Sequence, residues 1–154
     1  MGRREFKRPQ AQRGLAMVEL VIALPLLLLL LCAIGEFGRL LFQYNSLMQA
    51  SRDAGRFVAG QAWNATLGQL DLNNTLQTQA KNVAVYGTPA SSGTPAVPNL
   101  TTGDVTVAAV GTDHVRVSIT YTFQPVIGSA LPAFYGNSVP LGIALTSTVV
   151  MRAL

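Results

Sequence analysis

The sequence has few of the residues that build covalent or metal-based scaffolds. Its 154 residues include one cysteine, Cys32, and one histidine, His114. A single cysteine excludes a disulfide within the chain, and a zinc site needs three or four protein ligands. No nucleophile, base and acid converge in the sequence. It therefore predicts a non-enzymatic protein without metal or cofactor, in which His114 is a solvated residue of an exposed strand.

Charged residues are also scarce, at 12% of the chain against 49% hydrophobic residues, although the formal net charge is +4 and the pI about 9.7. Residues 1–14 contain five arginine or lysine side chains and only one carboxylate, Glu5. The remaining residues carry six cations and six carboxylates, so they are neutral overall. Because the whole excess sits in a basic leader, we expect neither a nucleic-acid partner nor a small-molecule substrate.

A long uncharged stretch follows this leader. No charge occurs between Glu19 and Glu36, and residues 26–31 are all leucine. A helix that starts at Leu15 has about 20 residues before Glu36, which is enough to cross a hydrocarbon core about 30 Å thick. The positive-inside rule predicts a cytoplasmic N-terminus and an exported C-terminal part. Pro25 is expected to kink this helix, because it removes a backbone hydrogen bond.

A cleavable signal peptide is the alternative interpretation of a basic segment followed by an apolar one. The run Ala33-Ile34-Gly35 resembles its cleavage site. The helical pattern continues past that point, so we predict an uncleaved transmembrane helix over 15–35 and its amphipathic extension over 36–60. The apolar stripe of this extension consists of Phe37, Leu40, Leu41, Tyr44, Leu47, Met48, Ser51, Ala54, Gly55 and Val58. Its distal half fits the core of the exported domain, and its proximal half fits either that core or contacts with other subunits.

Charged side chains on this extension have two interpretations. Glu36 and Arg39 lie three residues apart and are expected to form an ion pair at the membrane interface. Arg52 and Arg56 are one turn apart, and they belong either to a solvated helix face or, with Tyr44, to a partner-binding surface.

The exported part, residues 61–154, alternates between loop and strand patterns. Apolar spacing predicts a second helix that is capped by Asp71 or Asn73 and ends before Gly87. A flexible Pro, Gly, Ser and Thr-rich loop follows over 87–103. Strands are predicted over 104–110, 115–123 and 141–152, with these inward-facing residues: Val105, Val107, Val115, Val117, Ile119, Tyr121, Phe123, Ile143, Leu145 and Val149. The predicted class is α+β, with the long helix packed on a small antiparallel sheet.

The junction between leader and helix carries the most specific motif. The run Arg13-Gly14-Leu15-Ala16-Met17-Val18-Glu19 resembles the type IV prepilin processing site. The resemblance implies cleavage by prepilin peptidase between Gly14 and Leu15, with Glu19 as a carboxylate that serves assembly. A carboxylate at membrane depth normally has a partner. The candidate partner is the new amine of Leu15 on a neighbouring subunit.

A wider set of residues resembles the TadE-like family of tight-adherence pilus proteins. It adds Leu24-Pro25, Gly35 to Leu40, Tyr44-Asn45 and Ser51 to Arg56, with Ser51 and Asp53 departing from the usual residues. The resemblance implies a minor pilin or pseudopilin in a bacterial inner membrane. Its expected partners are other pilin-like subunits, the pilus assembly machinery, prepilin peptidase and the lipid bilayer.

Two other functions remain open from the sequence. One is a periplasmic binding module unrelated to pili, anchored by a single span, that holds a ligand on its sheet or its Pro-rich loop. Cleavage near Gly35 would favour it. The other is a tethered hydrolase, which lacks a recognisable catalytic set.

Overall fold

The computed structural model describes residues 11–66, 68–126, 128, 130–131, 139–140 and 142–154. Most of the predicted basic leader, and Leu141 at the start of the third predicted strand, lie outside them. The elements are two helices, a 3-10 turn and seven strands: α1 Ala11–Ala59, β1 Trp63–Asn64, β2 Gln69–Leu70, α2 Asn74–Tyr86, the turn Thr102–Asp104, β3 Val105–Val110, β4 His114–Thr122, β5 Ala130–Leu131, β6 Val139–Pro140 and β7 Ala144–Arg152. The predicted α+β class is confirmed. The chain divides into two compact units between Gly38 and Arg39.

The first unit contains the apolar part of α1. Residues 11–14 are already helical, so α1 includes residues ahead of the expected start at Leu15. Its most apolar 18-residue window has a mean hydropathy of 2.8, and none of that window is buried within the chain. A long apolar helix with an exposed surface fits a membrane-anchored protein, since lipid would cover that surface.

The second unit begins with the remaining part of α1, which supplies one side of the core. Its buried positions recur every three or four residues and include Leu47, Ala50, Ser51, Ala54 and Val58. This spacing confirms the distal half of the predicted stripe as a core face.

The proximal half of the stripe contains residues that do not belong to this core face. Leu41 and Tyr44 are 44% and 36% exposed, so they lie outside the core. Gln43, a polar residue outside the predicted stripe, is only 5% exposed. Its amide oxygen finds no hydrogen-bond partner among the described residues.

The contact between α1 and β7 is close because two small residues face the strand. A Cβ atom on Gly55 would lie 2.9 Å from Cγ1 of Val149, a distance that real side chains do not tolerate. One turn earlier, the buried hydroxyl of Ser51 lies 2.8 Å from that of Ser147. The backbone N–H of Leu154 donates to the carbonyl of Ala59 at 3.0 Å, so the contact extends to the end of α1.

Helix α2 is bounded by local hydrogen bonds. The side chain of Asn73 accepts from the backbone N–H of Leu76 at 2.8 Å, which selects Asn73 over Asp71 as the cap. Gly87 follows the helix with φ of 74°, a left-handed conformation that glycine adopts without a Cβ clash. The predicted end of this helix before Gly87 is therefore confirmed.

Strands β3, β4 and β7 form an antiparallel sheet with β4 in the centre. Its inward residues match the prediction for β3 and β4: Val105 and Val107 are buried in β3, and every second side chain from Val115 to Tyr121 is buried in β4. Strand β7 begins at Ala144, so the prediction that Ile143 faces inward within this strand is wrong: it precedes the strand and is 47% exposed. The two-residue pairs β1–β2 and β5–β6 are additional to the predicted strands.

The Pro-rich segment over 87–103 contains no strand, as predicted, but its second half is anchored. Val97 and Leu100 are 1% and 2% exposed. The N–H of Ala96 donates to the carbonyl of Val85 at 2.8 Å, which ties the segment to α2. The expectation of a freely flexible loop therefore does not hold for residues 96–100.

Candidate functional site

The predicted processing residues lie close to the start of α1. Gly14 and Leu15 are helical and lie within the first two turns of α1 as described. The side chain of Leu15 is 65% exposed. A Cβ atom added to Gly14 would meet no atom within 4 Å among the described residues. Both residues are accessible to another protein in this arrangement, and a peptidase that binds extended chain would have to unwind this turn.

Glu19 lies one turn after Leu15 on an apolar, exposed part of α1. The neighbouring Leu20 and Ile22 are 57% and 72% exposed. Within the described part of the chain, no hydrogen bond or ion pair involves Glu19. A carboxylate in such surroundings is costly in a membrane unless a cation pairs with it. A partner for this side chain therefore has to come from the interface, from the leader or from another chain.

Pro25 sits inside α1, which continues on both sides of it. Its missing N–H removes one backbone hydrogen bond at this position. The kink at Pro25 stays a prediction.

Arg39 occupies a defined position at the start of the second unit. Its guanidinium donates to the backbone carbonyl of Gln124 and lies 5.3 Å from the centre of the Phe123 ring. A guanidinium over an aromatic face gains a cation–π attraction of about 0.5–1 kcal/mol at exposed sites. The ion pair between Arg39 and Glu36 stays a prediction, and Glu36 is itself 8% exposed.

A small polar network surrounds this arginine at one end of the sheet. The hydroxyl of Tyr121 donates to the carbonyl of Pro98 at 2.9 Å, and the amide of Asn99 donates to the side-chain oxygen of Gln124 at 3.1 Å. These contacts tie the Pro-rich segment to the end of β4. Sequence reasoning missed them because they join residues more than twenty positions apart and carry no local pattern.

Burial raises the pKa of Tyr121 above its ordinary value of 10.0; the nearby Arg39 guanidinium opposes this shift, and Asp104 adds to it. A raised pKa in the folded state means that the neutral phenol stabilises the fold below pH 10. This contribution is lost as the pH rises through the folded-state pKa.

We therefore expect Tyr121→Phe to flatten the loss of stability at alkaline pH. At neutral pH the substitution removes one hydrogen bond to Pro98, at a cost of about 1 kcal/mol. Denaturant unfolding of the full chain in detergent at about pH 8 and about pH 11 measures both effects, because the two values bracket the ordinary tyrosine pKa, above which the loss begins. Tyr44→Phe, at a residue 36% exposed, is the matched control. An equal alkaline loss in Tyr121→Phe and in the unsubstituted chain would contradict this prediction.

The remaining residues of the predicted partner surface lie on the outside of α1. Arg52 and Arg56 are exposed, and Asp53 between them is exposed as well. This matches a solvated face, and the role of Tyr44, Arg52 and Arg56 in partner contacts stays a prediction.

His114 is the first residue of β4 and is partly exposed, as the sequence predicts. Its Nδ1 atom lies 2.6 Å from Oδ1 of Asp113, whose Oδ2 atom lies 3.1 Å from Nε of Arg152. Among the described residues, no three histidine, cysteine or carboxylate side chains gather at a point where they could hold a metal ion.

Comparison with known proteins gives one match. The family model described as TadE-like protein matches residues 14–56, which comprise nearly all of α1 and none of α2 or the sheet. Searches of curated proteins and of solved structures give no match. The TadE-like family is related to the Tad pilus and is not a known enzyme family. Over residues 14–56 the chain is thus similar to TadE-like proteins, which confirms the resemblance that its residues indicate.

Proposed function

We propose that the chain is a membrane-inserted pilin-like subunit, a minor pilin or pseudopilin of a tight-adherence type IV pilus, processed by prepilin peptidase after Gly14. The observation that carries this proposal is where the family match starts. It begins at Gly14 and contains none of the basic residues before it. The matched segment thus consists of the glycine and the first 42 residues that would follow the cleavage site, 15–56.

The geometry of α1 supports an assembly role for the new N-terminus. Cleavage would leave a positively charged amine on Leu15, in an otherwise apolar segment, one turn from Glu19. A neighbouring subunit shifted along its helix by about one turn, roughly 6 Å, would bring its amine to this carboxylate. Such a pair would satisfy both charges in a low-dielectric environment.

The same proposal assigns a location to each part of the chain. Residues 1–14 lie in the cytoplasm, 15–35 cross the bacterial inner membrane, and 36–60 extend the helix. Residues 61–154 form the exported domain, in the periplasm or on the pilus. The basic leader supports this orientation through the positive-inside rule. Partners are the prepilin peptidase, lipids, other pilin-like subunits and the assembly machinery.

The mature N-terminus tests the proposal. Intact-mass and N-terminal sequencing of the full-length chain, expressed with and without prepilin peptidase, should show Leu15 as the first residue only when the peptidase is present. Gly14→Val should block this product, because the peptidase needs close access to the backbone at the glycine. Gly35→Val is the matched control, since a Cβ atom at either glycine meets no atom within 4 Å among the described residues.

Two outcomes would contradict the proposal. A full-length product in both strains would remove the processing step. A product that starts at Glu36 would identify signal-peptidase cleavage after Ala33-Ile34-Gly35, and it would favour the periplasmic binding module instead.

A further inference from the structure

Within the described residues, strand β7 is paired on one side of its backbone only. The N–H of Phe123 donates to the carbonyl of Ile143 at 2.9 Å just before this strand, and the N–H of Ala153 donates to the carbonyl of Asp113 at 2.8 Å just after it. In an antiparallel ladder, hydrogen-bonded positions alternate along each strand. Odd-numbered residues of β7 therefore bond to β4, and the backbone of its even-numbered residues faces away: Ala144, Thr146, Thr148, Val150 and Arg152.

These residues present five N–H and five carbonyl groups in one row. No hydrogen bond in the described part of the chain reaches any of these ten backbone groups. The pairing with β4 is continuous over nine residues and contains no bulge.

Edge strands in soluble domains are usually protected from pairing with other chains. The common devices are proline, an inward-pointing charge, a bulge or a short strand. Strand β7 has no proline and no charge before Arg152, and β-branched residues dominate its centre. It is therefore a long and unprotected edge, which favours pairing with another strand.

The direction of α1 limits which strand of a second copy can pair with β7. Ser51 contacts Ser147, and Ala59 accepts a hydrogen bond from Leu154, so the second-unit part of α1 and β7 run in the same sense. Antiparallel pairing of β7 with β7 of a second copy would reverse this part of α1 in the partner. Every copy connects to its membrane segment at the Arg39 end of this part. A parallel pairing places the Arg39 ends of both copies on the same side, so both copies can be anchored in one membrane.

Strand β3 meets this requirement. It is the other edge of the sheet, and it runs parallel to β7 because both are antiparallel to β4. By the same alternation, the outward-facing backbone groups of β3 belong to Val105, Val107 and Ala109. Among the groups that the structure describes, only the N–H of Val105 has a partner, the carbonyl of Thr102. The strand carries no charged residue.

We propose that β7 pairs in parallel with β3 of a second copy, so that adjacent copies extend one continuous sheet head to tail. This inference rests on the proposed function only in requiring that both copies are anchored in the same membrane. A contact of this kind joins two different surfaces and leaves a free edge at each end. It therefore supports open rows of subunits rather than closed dimers.

Cysteine cross-linking tests the pairing in the full-length chain. Two differently tagged copies are co-expressed with Cys32→Ser, one carrying Thr148→Cys and the other Ala108→Cys. Both positions are exposed on the same face of the sheet. Within one chain, the register places Ala108 and Val150 on either side of Arg116, two strand spacings or about 10 Å apart. A disulfide requires Cα atoms within about 7 Å. Each copy carries a single cysteine, so a bond can form only between copies.

We expect a covalent dimer of the two tagged copies that reverts on reduction, for at least one pairing of Thr146, Thr148 or Val150 with Thr106 or Ala108. Arg116→Cys on the central strand is the control, and it should not cross-link to Thr148→Cys. Absence of every β3–β7 cross-link, or dominant bonding between two Thr148→Cys copies, would overturn the proposal. The cross-linking assay does not depend on cleavage. If the mature chain begins at Leu15 but no cross-link forms, the strand pairing is contradicted and the processing is not. If cross-links form in a chain that is not cleaved, the processing is contradicted and the strand pairing is not.

Discussion

Replacing Ile119 with alanine is expected to lower the free energy of unfolding by about 2–5 kcal/mol, the range for large apolar side chains truncated in a core. Ile119 is 0% exposed in the middle of the central strand β4. It pairs with Val105 on one side and with Ser147 on the other. The loss combines the transfer of the removed methyl groups with the cavity that they leave, because the surrounding strands cannot close around it.

The measurement is denaturant unfolding of the full chain in detergent, followed by the fluorescence of Trp63, the single tryptophan. Ile143→Ala is the matched control, because it removes the same atoms from a side chain that is 47% exposed. Its cost should stay below about 1 kcal/mol, as is usual for partly exposed positions. Equal losses for the two variants would show that the sheet does not form the core described above.

Replacing Glu19 with alanine is expected to leave membrane insertion intact and to reduce co-purification with other pilus subunits by about tenfold or more. Insertion should persist because the substitution removes a charge from an apolar segment. Assembly should fail because the amine of Leu15 on the neighbouring subunit would lose its partner. Breaking a buried pair by removing one side costs about 3–5 kcal/mol.

Conservative substitutions separate charge from packing in this test. Glu19→Gln keeps the size and removes the charge, so it should behave as the alanine variant does. Glu19→Asp keeps the charge and should restore part of the co-purification. Alkaline extraction of membranes measures insertion, and pull-down through a tag on the exported domain measures association. Unchanged pull-down of pilus subunits by Glu19→Ala would count against the role of this carboxylate in assembly.

The elements that sequence reasoning located correctly are those with a strong local period. The alternation of β4 and the three-to-four spacing of residues 47–58 depend only on neighbours along the chain, and both match the structure. The apolar run and the Gly14 to Glu19 spacing are equally local, and they were sufficient to identify the family that residues 14–56 match.

The features that were missed depend on contacts between distant segments. Residues 96–100 look like loop in the sequence, yet Val97 and Leu100 fill the core because α2 and the sheet leave room for them. The hydrogen bond from Arg39 to Gln124 joins residues 85 positions apart. Gln43 is polar and lies outside the predicted apolar stripe, and only the packed structure reveals its burial. No periodicity predicts such pairs.

Gly55 fixes the register of the contact between α1 and β7. The Val149 side chain sits in a notch that exists only because this helix position lacks a Cβ atom. Sliding the helix by one turn in either direction would bring Ser51 or Ala59 to the notch, and both carry a Cβ atom. It would also separate the buried hydroxyls of Ser51 and Ser147. The contact between α1 and β7 therefore fits in one register only. A force along the helix axis must break the whole contact before the helix can shift.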